Sequence, residues 1–252
     1  MPDPATMANV NLYAVLRNIE DLVTLDEEAG KLIAGRREAI GFSVHGGPRG
    51  VLSFDGKGGG SFVRGAAKTS ISLWFSGPEH FNSMVAGSGS PIPLKGLTKL
   101  SFLTGPFTML TKRLESYLRP SPEALADPAI FKATTELTLY TAGFALAEVG
   151  NADPVGMLNA GRIPDGIIEI GIKDGPAVSL TAKGGCLSAA KGRTGKARAS
   201  MTFADYQAAS GVLGGRRDAM TALGLGEVAM SGFIPMLEHM NKVLGLVPRY
   251  LA

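Results

Sequence analysis

Lys196-Ala-Arg-Ala-Ser-Met-Thr-Phe203 rewrites an earlier stretch of the same chain, Lys68-Thr-Ser-Ile-Ser-Leu-Trp-Phe75. Lys, Ser and Phe fall at the same places, so that Phe203 answers Phe75. Outward from this pair the correspondence continues in order. Gly47-Pro48 meets Gly175-Pro176, and Ile40, Phe42 and Val44 meet Ile168, Ile170 and Ile172. Upstream, Ala34-Gly35-Arg36 meets Ala160-Gly161-Arg162, Leu12-Tyr13 meets Leu139-Tyr140, and Asp3-Pro4-Ala5 meets Asp127-Pro128-Ala129. Downstream, Gly96-Leu97 pairs with Gly224-Leu225 and Phe102 with Met230. A single match is cheap, but matches kept in order along most of the chain indicate an internal duplication. The proline-punctuated Arg119-Pro-Ser-Pro122 is the natural connector, so two domains are expected, 1–123 and 124–252.

Each half carries the same punctuation. Leu12, Leu16, Ile19, Leu22 and Val23 recur at helical spacing, and Pro128 to Val149 plays this part in the second half. A shorter helix follows, with Gly35 and Gly161 expected as left-handed caps. The period then drops to two. Ile168, Ile170 and Ile172 alternate with Glu169 and Gly171, Lys173-Asp-Gly-Pro176 turns the chain, and Val178, Leu180 and Ala182 alternate again. That is the pattern of a hairpin. Ile71/Leu73/Phe75 and Ala199/Met201/Phe203 continue it. A helix, a short strand (Leu100/Phe102 and Val228/Met230) and a last amphipathic helix are expected to close each half. Strands grouped in this way, rather than alternating with helices, indicate α+β.

The wording of the second half, Ala199-Ser-Met-Thr-Phe-Ala-Asp-Tyr206, Gly211-Val-Leu-Gly-Gly215, Asp218-Ala-Met220 and Gly226-Glu-Val-Ala-Met-Ser-Gly232 before a Leu/Met-rich helix, resembles the sterol-carrier-protein-2 (SCP2-type) lipid-binding family. The first half looks like a more divergent copy, through Ser70-Ile-Ser-Leu-Trp-Phe75 and Met84-Val-Ala-Gly87. Arg216 stands where the family usually has lysine, and Ser88 to Pro93 replaces that region in the first copy. The resemblance implies two tandem repeats, each a mainly antiparallel sheet of about five strands covered by helices, related by a pseudo-two-fold. It also implies an apolar tunnel between sheet and C-terminal helix for a sterol, fatty acyl chain or other lipid. Its candidate linings are Trp74, Phe81, Met84, Phe102, Phe107 and Met109 in the first copy. In the second they are Met201, Tyr206, Met220, Met230, Phe233, Met236 and Met240. Each of these also fits a plain hydrophobic core.

Composition narrows the remaining classes. The net charge is +3, and the densest basic spots are Arg36-Arg37, Arg216-Arg217 and Lys191/Arg193/Lys196/Arg198. The aromatics fall on apolar faces rather than among these charges, which argues against a nucleic-acid surface and leaves transient contact with an anionic membrane surface or with partner enzymes open. The single Cys186 makes no disulfide within the chain, and His45, His80 and His239 have no metal-ligand spacing. Gly224-Leu-Gly226-Glu-Val-Ala229 has helix before and strand after it, the reverse of a dinucleotide loop. Glu169 and Glu227 are read as solvated strand residues, and His239 as a satisfied surface residue beside the last helix. No signal peptide is recognisable in Met1 to Met7, so a cytoplasmic address is expected. The reading is a non-catalytic carrier of a hydrophobic ligand, without cofactor. An enzyme acting on a hydrophobic substrate at a pocket mouth, or a lipid-presenting accessory protein, are the alternatives.

Overall fold

A computed structural model describes residues 2–251. The chain divides into two compact units, one running to Ala133 and one starting at Thr134. The first contains α1 (Pro4–Val10), α2 (Ile19–Leu25), α3 (Glu27–Ile33), β1 (Ala39–Val44), β2 (Arg49–Phe54), β3 (Gly60–Arg64) and β4 (Ile71–Phe75). These are followed by α4 (Pro78–Val85), β5 (Ile92–Lys95), α5 (Leu100–Phe102) and α6 (Thr108–Leu118). Next along the chain comes α7 (Pro128–Ala152), which crosses the divide. The second unit continues with α8 (Pro154–Ala160), β6 (Gly166–Ile172), β7 (Ala177–Lys183), β8 (Cys186–Lys191) and β9 (Ala199–Phe203). It ends with α9 (Tyr206–Leu213), α10 (Ala219–Gly224), β10 (Val228–Gly232), α11 (Ile234–Leu244) and α12 (Pro248–Leu251). None of these helices is long and apolar enough to cross a membrane.

Each unit holds one five-stranded mixed sheet. The strand orders are β3-β2-β1-β4-β5 and β10-β9-β6-β7-β8, which is one topology read from opposite edges. All neighbours are antiparallel except the central pairs β1/β4 and β6/β9. The register repeats as well. Phe42 lies beside Leu73 and Val44 beside Phe75, while Ile170 lies beside Met201 and Ile172 beside Phe203, all at the displacement that separates Phe75 from Phe203. The first hairpin turn of each sheet places Gly46 and Asp174, equivalent under the same displacement, at φ 64° and 53°. That left-handed conformation suits glycine and is tolerated by aspartate.

The duplicated pattern slips after α4 and α9. The first unit's last strand is Ile92–Lys95, and Leu100 and Phe102 are helical, so the strand expected at Leu100/Phe102 is corrected. Ile92 pairs with Trp74 and Ala229 with Thr202. Trp74 and Thr202 keep the upstream displacement, whereas Ile92 and Ala229 stand further apart. The extra length holds α10, which has no counterpart between α4 and β5 among the described residues. Gly96-Leu97 and Gly224-Leu225 are therefore not equivalent. β5 is an edge strand, where Pro93 costs no ladder donor. Gly161 has φ −62°, so of these two expected caps Gly35, at 74°, is left-handed and Gly161 is not.

In both sheets the helices cover the face bearing the alternating apolar residues. Ile40, Phe42, Val44, Leu52, Ile71, Leu73 and Phe75 are buried in one unit, and Ile168, Ile170, Ile172, Val178, Leu180, Met201 and Phe203 in the other. Close approach of α7 depends on Gly143. A Cβ there would lie 2.7 Å from Val178 Cγ1.

Candidate functional site

In the second unit the layer between sheet and last helix is rich in methionine. Met201 and Met230 are directly opposed across β9 and β10, and alternation puts both on the helix-covered face with Ile168 and Ile170. Met236 and Met240 on α11 are fully buried, and α11 packs on β9. Met236 Cε reaches to 3.3 Å from the Cβ position of Gly166, at the start of β6. Tyr206 is half-buried, and burial followed by the nearby Glu136 carboxylate pushes its phenol pKa up. Its hydroxyl lies 3.5 Å from the Cβ position of Gly175, over the β6–β7 turn.

The first unit fills the same layer with aromatic rings. Phe81 meets Phe75 edge-on at 5.0 Å and Phe42 at 6.5 Å, and Phe107 lies 6.3 Å from Phe42. Phe102 stands edge-on to Phe54 at 6.1 Å, with the Arg36 guanidinium over its ring. Met84 is half-buried on α4. Trp74 alternates with Leu73 and Phe75 and so lies on the other face of the sheet, away from Phe81 and Phe107. Met109 and Met220 are 55% and 71% exposed, and Phe233 lies half-open beneath Arg198. These four are not brought into the helix-covered layer.

Two clefts among the described residues lie elsewhere. One, of about 310 Å³, is lined by Asp205, Gln207, Ala208, Gly211, Arg216, Arg217 and Glu227. The other, of about 270 Å³, lies at the β2–β3 turn by Asp55 and Gly60.

Several polar residues differ from expectation. Glu169 is buried rather than solvated. Its Oε1 accepts from the Thr194 N–H and hydroxyl and from the Gly195 N–H, at 2.7, 2.9 and 3.1 Å. Burial alone would raise its pKa, but these bonds outweigh it and hold the carboxyl below the usual range. Glu227 precedes β10 and pairs with Arg217. His239 has its Nδ1 buried without a partner among the described residues, so it is not a satisfied surface side chain. His80 bridges Ser76 and the Ser90 carbonyl, and Cys186 is free and exposed.

One constellation escaped sequence reading. Asp26 caps α3 by accepting from Ala29 N–H at 2.9 Å, and its other oxygen accepts from Arg113 Nε and the Tyr117 hydroxyl, each at 2.6 Å. In the second unit Asp153 caps α8 through Val155 and Gly156 N–H and accepts from the Tyr250 hydroxyl at 2.6 Å. Burial would raise the Asp26 pKa, but bonds from Arg113, Tyr117 and Ala29 hold it low, while burial and the bond to Asp26 push the Tyr117 phenol up to about 12. A phenol held so firmly protonated latches the last helix and offers no base.

No family model matches the chain, and no curated protein does. Solved structures are similar to part of it. One described as the UbiJ-SCP2 ubiquinone synthesis protein is 15% identical, covering 40% of this chain and 88% of its own, with TM-score 0.33. A Thermus thermophilus protein, described as a possible sterol carrier protein, is 20% identical over 43% of this chain and 85% of its own, also at 0.33. A crystal structure of sterol carrier protein 2 is 20% identical over 44% of this chain and 92% of its own, again at 0.33.

Proposed function

We propose that the chain binds and carries a hydrophobic ligand, a sterol, fatty acyl chain or other lipid, without transforming it. The ligand would lie between the second unit's sheet and α11, and be passed to a membrane surface or to partner enzymes. The observation that carries this reading is the layer formed by Met201, Met230, Met236 and Met240. Unbranched thioether side chains repack around ligands of variable shape, as the rigid rings of the first unit do not. Met236 and Met240 are fully buried here, so uptake requires α11 to move from the sheet.

Native mass spectrometry of the purified protein, followed by organic extraction, tests the proposal. A lipid-sized adduct is expected, together with uptake of a fluorescent fatty acid or sterol that Met230→Glu abolishes. A chain that carries no adduct and takes up neither probe is not a carrier. Uptake unaffected by Met230→Glu, with the fold intact, would move the site elsewhere.

A further inference from the structure

The two units provide an internal comparison at the helix that follows each Asp cap. On α3 the outward positions are Glu27, Glu28 and Lys31, and Lys31 pairs with both acids. Counted from the caps Asp26 and Asp153, the corresponding positions on α8 are Pro154, Val155 and Leu158, with Met157 beside them. Val155, Met157 and Leu158 are 53%, 53% and 57% exposed. The same fold therefore tolerates a fully charged outer face at this place, so the apolar one answers to something outside the unit.

The surroundings indicate what it meets. α11 lies against α8 and begins where β10 ends. Gly232 pairs with Ala199, and Ala199 with Ile168, so Phe233 and Ile234 emerge at the end of the sheet where β6 starts. Both are exposed, and the Arg198 guanidinium lies 5.2 Å from the Phe233 ring centre. Asp165 joins this end together, its carboxylate accepting from Gly184 N–H at 2.9 Å and its carbonyl from Arg198 Nη1 at 2.6 Å. Arg198 lies over Phe233, Arg162 follows α8, Lys183 ends β7 beside the start of β6 and Arg249 lies on α12, and all four are exposed. Two carboxylates lie among these cations, Asp165 accepting from Gly184 N–H and Asp153, the α8 cap, accepting from Gly156 N–H and Tyr250 with Arg249 nearby. Glu238 pairs with Lys242, so the cations outnumber the acids.

We infer that this end of the second unit docks on an anionic bilayer. Val155, Met157, Leu158, Phe233 and Ile234 enter the headgroup–acyl boundary, and the four cations lie at phosphate level. Apolar side chains ringed by Lys and Arg are the chemistry of an interfacial surface, and long cationic side chains keep their heads in the polar layer while their stems cover apolar atoms. A second copy of the chain fits less well, because an isologous contact would press like-charged rims together. The inference rests on the carrier reading, since a carrier whose mobile helix starts beside the bilayer exchanges ligand there.

Flotation with vesicles of phosphatidylcholine and phosphatidylglycerol, against phosphatidylcholine alone, tests it. The wild-type chain is expected to float with the anionic vesicles and to detach as salt is raised. Met157→Glu/Leu158→Glu and Arg162→Glu/Lys183→Glu should each lower the bound fraction by about tenfold or more. Both should keep the wild-type circular dichroism and take up a fluorescent fatty acid normally in vesicle-free buffer. A wild-type chain that does not float, or a Met157→Glu/Leu158→Glu chain that floats equally, overturns the docking surface. So does a wild-type dimer that this double variant dissociates while neither binds vesicles, because a second copy then covers the face. A chain that floats but takes up no probe upholds the surface and removes the carrier reading instead.

Discussion

Asp26 and Asp153 occupy equivalent places in the two units, and each caps a helix while accepting a tyrosine hydroxyl from the end of its own unit. A hydrogen bond to a buried carboxylate contributes about 1.5–3 kcal/mol. Tyr117→Phe is therefore expected to lower unfolding stability by about 2 kcal/mol, measured by urea denaturation. Asp26→Ala should cost more, since it also removes the α3 cap and leaves Arg113 and Tyr117 unpaired. The pH dependence follows from the direction of the shifts. Asp26, Asp153 and Glu169 all have pKa values lowered in the folded chain. Their stabilisation is present above the ordinary carboxylate range of about 4 and is lost as pH falls through the lowered folded values. Between pH 7 and pH 3 the wild-type urea midpoint should fall further than that of Asp26→Asn. Equal falls would show that Asp26 does not contribute to acid unfolding. The sequence displayed both aspartates before helices, but the tyrosines lie 91 and 97 residues further on, at a distance no local pattern spans.

At the scale of elements, α7 and α11 are held by opposite means. α7 approaches the sheet because Gly143 has no side chain above Val178. Gly143→Leu should cost about 1–3 kcal/mol through overpacking, and Val178→Ala in the same chain should recover part of it. Strict additivity of the two changes would show that they do not meet. α11 is held by side chains that fill space. Met236→Ala is expected to cost about 2–5 kcal/mol, seen as a lower melting temperature, with faster uptake of a fluorescent fatty acid as the helix loosens. β3 and β8 carry little apolar alternation and were not read, but β1, β2, β4, β6, β7, β9 and β10 were legible because period two and the Gly/Asp turns repeat at a constant spacing. The fifth strand of the first unit was not, since α10 breaks that spacing and Ile92-Pro93-Leu94-Lys95 is too short for its alternation to stand out.

For the whole molecule, the carrier proposal makes bond-making residues dispensable. A chain with His45, His80, His239 and Cys186 all replaced is expected to take up a fluorescent fatty acid within a few-fold of wild type, whereas Met236→Glu is not. A large loss from one histidine, with lipid binding unchanged, would favour an enzyme. From the sequence alone came the duplication, the α+β class and most of the element order, because each is written in periodicity and repeated turns, whereas the parallel pairing of the two central strands came from the tertiary structure. Tertiary structure decided which apolar residues share a layer. Trp74 and Phe75 are neighbours in the chain but face opposite sides of a sheet, while Met201 and Met230, on different strands, are directly opposed. It also decided which apolar residues stay in water: Met220 reads like Met236 in the sequence, yet 71% of its surface is exposed. The reason is physical. A side chain's hydrophobicity is local, but its burial depends on which element folds over it, and that is set by packing between segments far apart in the chain.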